Sequence, residues 1–97
     1  MALVRTIVTD YREKAQEALE NYYASAYRVK PAENDIEHVC GVAASIMMTR
    51  DKIMMGGGFA TAVANNDLDG AVERADSVCA QHLPFFVYCK KFVNLNN

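Results

Sequence analysis

Cysteine and histidine are the residue types in this chain that can bind a transition metal. Cys79 and His82 are three positions apart, which places them on one face of a helix, and His38 and Cys40 lie together in an earlier segment. If the two segments packed together, such side chains could hold zinc tetrahedrally. The chain has no Cys-x-x-Cys or His-x-x-x-His unit, however. We therefore predict no metal and no cofactor, with Cys40, Cys79 and Cys89 packed as small apolar groups.

A glycine triplet, Gly56, Gly57 and Gly58, comes directly before Phe59 and a segment with helical spacing of apolar residues. Free N–H groups at the start of a helix can bind an anion. A phosphate-binding P-loop also requires Gly-Lys-Ser/Thr, which does not follow here, and no strand precedes the triplet as a dinucleotide site requires. We expect a structural corner instead, in which glycines at positive φ let Phe59 reach the core.

Aromatic and cationic residues crowd the end of the first predicted helix, and they are the candidate partner-binding site: Tyr23, Tyr27, Arg28 and Lys30. Tyrosine and arginine are enriched in protein interfaces. Rings interleaved with cations can also stack on bases and contact phosphates. Core packing explains the neighbouring Tyr22 without any partner. We predict a protein interface, and nucleic-acid binding is the alternative.

Acidic residues between the glycines and the last aromatic segment form a run: Asp67, Asp69, Glu73 and Asp76. An EF-hand loop needs acids at alternating positions and a closing glutamate, and this run lacks that order. Short side-chain oxygens cap helix N-termini, so we predict capping and a solvated face. The spacing of the residues indicates neither a Ser-His-Asp triad nor a catalytic Cys-His pair. We predict that the protein is not an enzyme.

The composition favours one globular domain over residues 1–97, with 52% apolar residues and a formal net charge of -2. That charge gives no electrostatic reason to bind nucleic acid or an anionic membrane. No stretch reaches the roughly 18 to 20 apolar residues of a membrane span, and the N-terminus does not read as a signal peptide. Three cysteines at unrelated spacings fit reduced thiols. We expect a cytoplasmic protein.

Apolar residues at three-four spacing predict helices along most of the chain. The first helix should cover residues 2–28 and stop before Pro31. Asn34 or Asp35 should cap a second helix that ends near Arg50.

Two short helices should follow the glycines, with Asn65-Asn66 ending the first and Asp67 capping the second. Pro84 should kink or split the last, aromatic helix at Leu83. The predicted fold is all-α, a single small domain of four to five helices with a long N-terminal helix. The second short helix should direct four apolar residues inward: Leu68, Ala71, Val72 and Ala75.

The middle of the chain resembles short, uncharacterised phage and prophage proteins. That pattern often has a proline before the glycines and an Asn-Pro ending, where this chain has Met55 and the Asn94 tail. The resemblance implies no activity and no catalytic residues. It rests on these residues: Gly57-Gly58-Phe59, Ala62-Val63, Asn66-Asp67-Leu68, Ala71 and Arg74-Ala75-Asp76.

The resemblance implies a phage setting, in which small accessory proteins act mostly by binding host proteins, CRISPR and other defence complexes among them. The expected function is therefore a phage-type accessory protein that binds and inhibits a host protein in the bacterial cytoplasm. The apolar stripe of the first helix is wider than a thin core needs, so we also expect a homodimer through that helix. A nucleic-acid-binding accessory protein is the alternative.

Overall fold

Helices account for all the regular structure in the part of the chain that the computed structural model describes, the backbone of residues 2–95 and the side chains of residues 7–95. The all-α prediction is confirmed. The described residues form six α-helices, against the predicted four to five, because the last, aromatic helix is split at His82, beside Pro84, as the sequence predicts. The helices are α1 (Ala2–Tyr22), α2 (Ile36–Arg50), α3 (Gly58–Ala64), α4 (Leu68–Arg74), α5 (Ser77–Gln81) and α6 (Leu83–Phe92).

The first helix ends at Tyr22 and not at residue 28, so this predicted boundary is wrong. The Arg28 guanidinium donates to the Tyr22 carbonyl oxygen at 3.0 Å. The Tyr27 N–H donates to the Ser25 hydroxyl at 3.2 Å. Because these side chains satisfy backbone groups that a continuing helix would use, the segment turns away well before Pro31.

The central helix is α2, which packs against α1, α3 and α6. The face of α2 toward the core is apolar, and Val39, Ala43, Ile46 and Met47 on it are fully buried. Each such large side chain stabilises the fold by about 1.5 to 3 kcal/mol relative to exposure. From α1 the core receives Tyr11, Ala15, Ala18 and Leu19, and from α6 it receives Phe85, Phe86 and Cys89. The radius of gyration of 12.6 Å is that of a single domain of this length.

Two aspartates cap the short helices, as predicted for Asp67. Its carboxylate accepts from the Gly70 N–H at 3.0 Å at the start of α4. Asp76 accepts from the Cys79 N–H at 2.7 Å at the start of α5. Asn66 ends α3 with a φ of 63°, in the left-handed region that asparagine tolerates. Local sequence chemistry therefore determines these helix ends.

The inward orientation predicted for α4 is wrong for two of its residues. Leu68 is 66% exposed and Val72 is 59% exposed, whereas Gly70 and Ala71 are buried. Only small residues allow α4 to lie close against α3, so the helix turns its larger apolar side chains outward.

The positive φ predicted for the glycine triplet is also wrong. Among the described residues, only Lys52 and Asn66 have positive φ, and no glycine does. Phe59 nonetheless packs against the core, with its ring 5.5 Å from that of Phe86 in an edge-on arrangement. Space explains a glycine at Gly56, because a Cβ there would lie 2.8 Å from the Ala60 Cβ.

Candidate functional site

Tyr23, one of the four predicted partner-binding residues, belongs to the edge of the core. Its hydroxyl lies 2.7 Å from His82 Nδ1. The two rings meet edge-on with centroids 5.6 Å apart, and the Tyr23 ring also packs against Phe85. Burial raises the pKa of Tyr23 to about 12. These contacts use both the ring and the hydroxyl within the protein.

The other three predicted residues lie on the loop between α1 and α2. Arg28 places its guanidinium 4.0 Å from the centre of the Tyr22 ring, in addition to its hydrogen bond to the Tyr22 carbonyl. Tyr27 is 97% exposed, and Lys30 is exposed as well. Of the predicted set, Tyr23 belongs to the core edge, Arg28 is exposed but contacts Tyr22, and Tyr27 and Lys30 face solvent. Val29, which the sequence did not single out, is 86% exposed on the same loop.

A shallow groove lies between α3, α4 and α6. Its volume of about 200 Å³ is below the range of pockets that bury a drug-sized ligand. Leu68, Leu83 and Val87 contribute apolar surface, while Asp67 and Lys91 lie at its polar edge. The groove therefore suits a contact with another protein better than a small molecule.

All three cysteines are free and buried. Burial raises the pKa of Cys89 to about 12, and it raises the pKa of Cys40 as well. A thiol that stays protonated is a poor nucleophile. Cys40 and Cys89 therefore behave as packing residues, as predicted.

Cys79 lies in a different environment, beside two polar side chains. His38 Nε2 is 2.9 Å from Asp76 Oδ2 and 4.0 Å from Cys79 Sγ. The sequence spacing pairs Cys79 with His82 instead, but the His82 ring contacts Tyr23. The Asp76-x-x-Cys79 cap is visible in the sequence, whereas the approach of His38 from α2 depends on tertiary packing and left no local signal.

No protein-family model matches this chain, and comparison with curated proteins and with solved structures finds no match either. Within the described residues, no helix combines the length and apolar character of a membrane span. The arrangement of the residues themselves therefore carries the functional argument.

Proposed function

We propose that this chain is a small phage-type accessory protein that binds and inhibits a host protein and catalyses no reaction itself. The observation that carries the proposal is Tyr27, which is 97% exposed beside an anchored arginine. An aromatic side chain that is exposed on a surface loop keeps its apolar ring in water, which stabilises neither the ring nor the fold. It gains much from burial in a partner's pocket.

The loop presents this tyrosine in a restrained geometry. Arg28 is held by the Tyr22 ring and the Tyr22 carbonyl, and the Tyr27 N–H is held by Ser25. Restraint before binding lowers the entropy lost on association. Tyrosine is also among the residues that most often dominate binding energy at interfaces. With the exposed Val29 beside it, Tyr27 can supply an apolar anchor for a host protein.

The nucleic-acid alternative is weaker because one of its two cations is already engaged. Arg28 uses one N–H of its exposed guanidinium and stacks the group on the Tyr22 ring, and Lys30 is the other cation of the cluster. Phosphate contacts through several cations supply most of the affinity for nucleic acid. A protein partner needs no such cluster.

We also propose a homodimer, through the groove rather than through α1. Between Ile7 and Tyr22 every large apolar side chain is at least partly buried, whereas Leu68 is 66% exposed. The groove edge carries both Asp67 and Lys91, so a two-fold-related copy can pair unlike charges across the interface. Light scattering should give the dimer mass, and Leu68→Asp should give the monomer mass. A wild-type monomer at the same concentration would exclude the dimer.

The test of host binding compares tagged wild-type protein with two variants in a pull-down from bacterial lysate. Tyr27→Ala should lose the captured host protein, with a fall in affinity of roughly 30-fold, about 2 kcal/mol, as expected for an anchor residue. Met55→Ala is the matched control, because Met55 is 85% exposed on a different loop, and it should retain the protein. Equal capture by all three proteins, or recovery that nuclease abolishes, would contradict the proposal.

A further inference from the structure

Three side chains with different metal-binding atoms meet where α2 approaches α5. His38 lies in the first turn of α2, Asp76 caps α5, and Cys79 lies within α5. Their nearest imidazole nitrogen, carboxylate oxygen and sulfur all lie within 4.8 Å of one another. Two elements far apart in sequence thus bring one nitrogen, one oxygen and one sulfur atom to a single point.

The geometry differs from that of a catalytic triad. In a triad the histidine uses one ring nitrogen for the orienting carboxylate and the other for the nucleophile. Here the same nitrogen, His38 Nε2, faces both Asp76 Oδ2 and Cys79 Sγ. Atoms that converge on one point are typical of a shared ligand and not of a proton relay.

We propose that His38 Nε2, Asp76 Oδ2 and Cys79 Sγ form a zinc site, with a water molecule as the fourth ligand. Zinc accepts this mixture of nitrogen, oxygen and sulfur, whereas magnesium and calcium avoid thiolates. Tetrahedral zinc bonds would separate nitrogen and oxygen by about 3.4 Å and nitrogen and sulfur by about 3.6 Å. The observed separations are 2.9 Å, which is a hydrogen-bond length, and 4.0 Å. Zinc binding would therefore lengthen the first and shorten the second by roughly half an ångström.

The surroundings suit such a site. Asp76 Oδ1 accepts the Cys79 N–H at 2.7 Å, which orients the carboxylate and leaves Oδ2 for the metal. The side chains of His38 and Asp76 are 48% and 55% exposed, so small rotations can close the ligand distances. The same exposure leaves the fourth position open to water. Cys79 is 3% exposed and supports the site from the protein side.

Binding replaces protons with the metal. The Cys79 S–H bond breaks and its proton passes to solvent. In the metal-free protein His38 Nε2 donates to Asp76 Oδ2, so zinc also displaces this hydrogen, which passes to solvent, and the ring then carries its proton on Nδ1. The ion would connect the first turn of α2 to α5. Because zinc binds the folded site, it should also raise the stability of the protein.

The experiment is a titration of chelator-treated full-length protein with zinc chloride, followed by calorimetry and thermal unfolding. Wild-type protein should bind one equivalent and melt at a higher temperature. His38→Ala should lower zinc affinity by at least roughly 10- to 100-fold, the loss seen even for outer-shell partners. Cys40→Ala is the matched control, since it removes a buried thiol from the same helix as His38, and it should bind zinc normally.

Cobalt substitution tests the sulfur ligand directly. The cobalt complex of wild-type protein should show a thiolate-to-metal charge-transfer band, and Cys79→Ala should lack it. The site is excluded if wild-type protein shows no saturable zinc binding, if His38→Ala binds zinc as wild type does, or if the cobalt complex shows no thiolate band. None of these measurements involves a host protein, so they are independent of the proposed inhibitory function.

Discussion

Gly56 and Gly57 are adjacent in the chain but have very different surroundings. The Gly56 N–H donates to Thr49 Oγ1 at 2.9 Å, and an added Cβ would lie 2.9 Å from the same oxygen and in collision with Ser45. At Gly57 a Cβ would meet nothing within 4 Å, and its φ of -67° and ψ of -177° are open to any residue. Close approach of α2 to the triplet, and not backbone conformation, is therefore what requires a glycine.

The same substitution at the two positions should have opposite effects. Gly56→Ser should lower the free energy of unfolding by about 1 to 3 kcal/mol through overpacking. Gly57→Ser should leave it unchanged or raise it by up to about 1 kcal/mol, because serine caps α3 and restricts the unfolded chain. Urea denaturation measures both. Equal losses would show that the triplet is needed for conformation after all.

His82 is 6% exposed, and burial lowers its pKa from the ordinary value of 6.5. The folded protein keeps the ring neutral, which allows Nδ1 to accept the Tyr23 hydroxyl. The unfolded chain takes up a proton at higher pH than the folded protein does. Stability should therefore be complete above about pH 7.5 and decrease as the pH falls through 6.5.

Urea denaturation at several pH values between about 5.5 and 7.5 tests this direction. His82→Gln removes the titrating ring and should flatten the dependence, whatever its effect on stability itself. A wild-type free energy of unfolding that rises as the pH falls would mean that the folded protein binds the proton more tightly.

Single residues also show which parts of the site could be predicted. The Asp67 cap follows from a short acidic side chain at a helix start, and the structure confirms it. The sequence places Tyr23 among the partner-binding residues, because it does not reveal that His82 lies beside it. The contact of His38 with Asp76 likewise joins two helices. Contacts between distant segments depend on packing, which one sequence does not display.

At the scale of helices, Arg50 joins the end of α2 to the end of α6. Its Nη1 donates to the carbonyl oxygens of Cys89 at 3.1 Å, Lys90 at 3.0 Å and Val93 at 2.6 Å. Asp51 accepts from the same guanidinium and, at 2.8 Å, from the Tyr11 hydroxyl. Because Tyr11 lies in α1, this bond connects α1 to the same group of contacts. The last carbonyls of a helix need such donors. These carbonyls of α6 thus receive a donor from α2, although Lys90 and Lys91 lie in the last turn of α6 itself.

Replacing Arg50 should therefore weaken the fold, while replacing a lysine at the same helix end should not. Arg50→Gln should lower the free energy of unfolding by about 1.5 to 3 kcal/mol, because it leaves carbonyls and Asp51 without their charged partner. Lys91→Gln, on the exposed surface of α6, should change it by less than about 0.5 kcal/mol. Thermal and urea unfolding measure both variants. An Arg50→Gln protein as stable as wild type would show that the carbonyls find other donors.

The presence of the helices and most of their ends could be predicted, because apolar spacing and capping side chains are local features of the sequence. The end of α1 and the orientation of α4 could not be. Arg28 ends α1 by returning to the Tyr22 carbonyl, and this contact competes with a helical pattern that runs on in the sequence. In α4 the apolar spacing is real, but Leu68 and Val72 face solvent because the small residues pack on α3. The spacing of apolar residues identifies an apolar face on a helix, but in a short helix it does not show whether that face is the buried one.

At the scale of the whole molecule, charge limits the choice of partner. Twelve acidic residues outweigh ten lysines and arginines, for a formal net charge of -2. Large apolar side chains remain exposed at separate places on the surface, such as Tyr27 on the loop after α1, Leu68 at the groove and Phe92 on α6. A surface with scattered cations and distinct apolar positions is more suited to proteins than to a phosphate backbone.

We therefore expect no measurable binding of DNA or RNA at physiological salt by fluorescence anisotropy. Nucleic-acid binding through the loop would depend on its two cations, Lys30 and the Tyr22-bound Arg28. The logarithm of the binding constant falls with the logarithm of the salt concentration, with a slope of roughly 0.9 for each phosphate contact. Weak binding at low salt should therefore vanish when salt is added. Tyr27→Ala should leave such residual binding nearly unchanged, while it removes a protein partner. Sub-micromolar affinity at physiological salt that Lys30→Ala abolishes would reverse the ranking and make nucleic acid the partner.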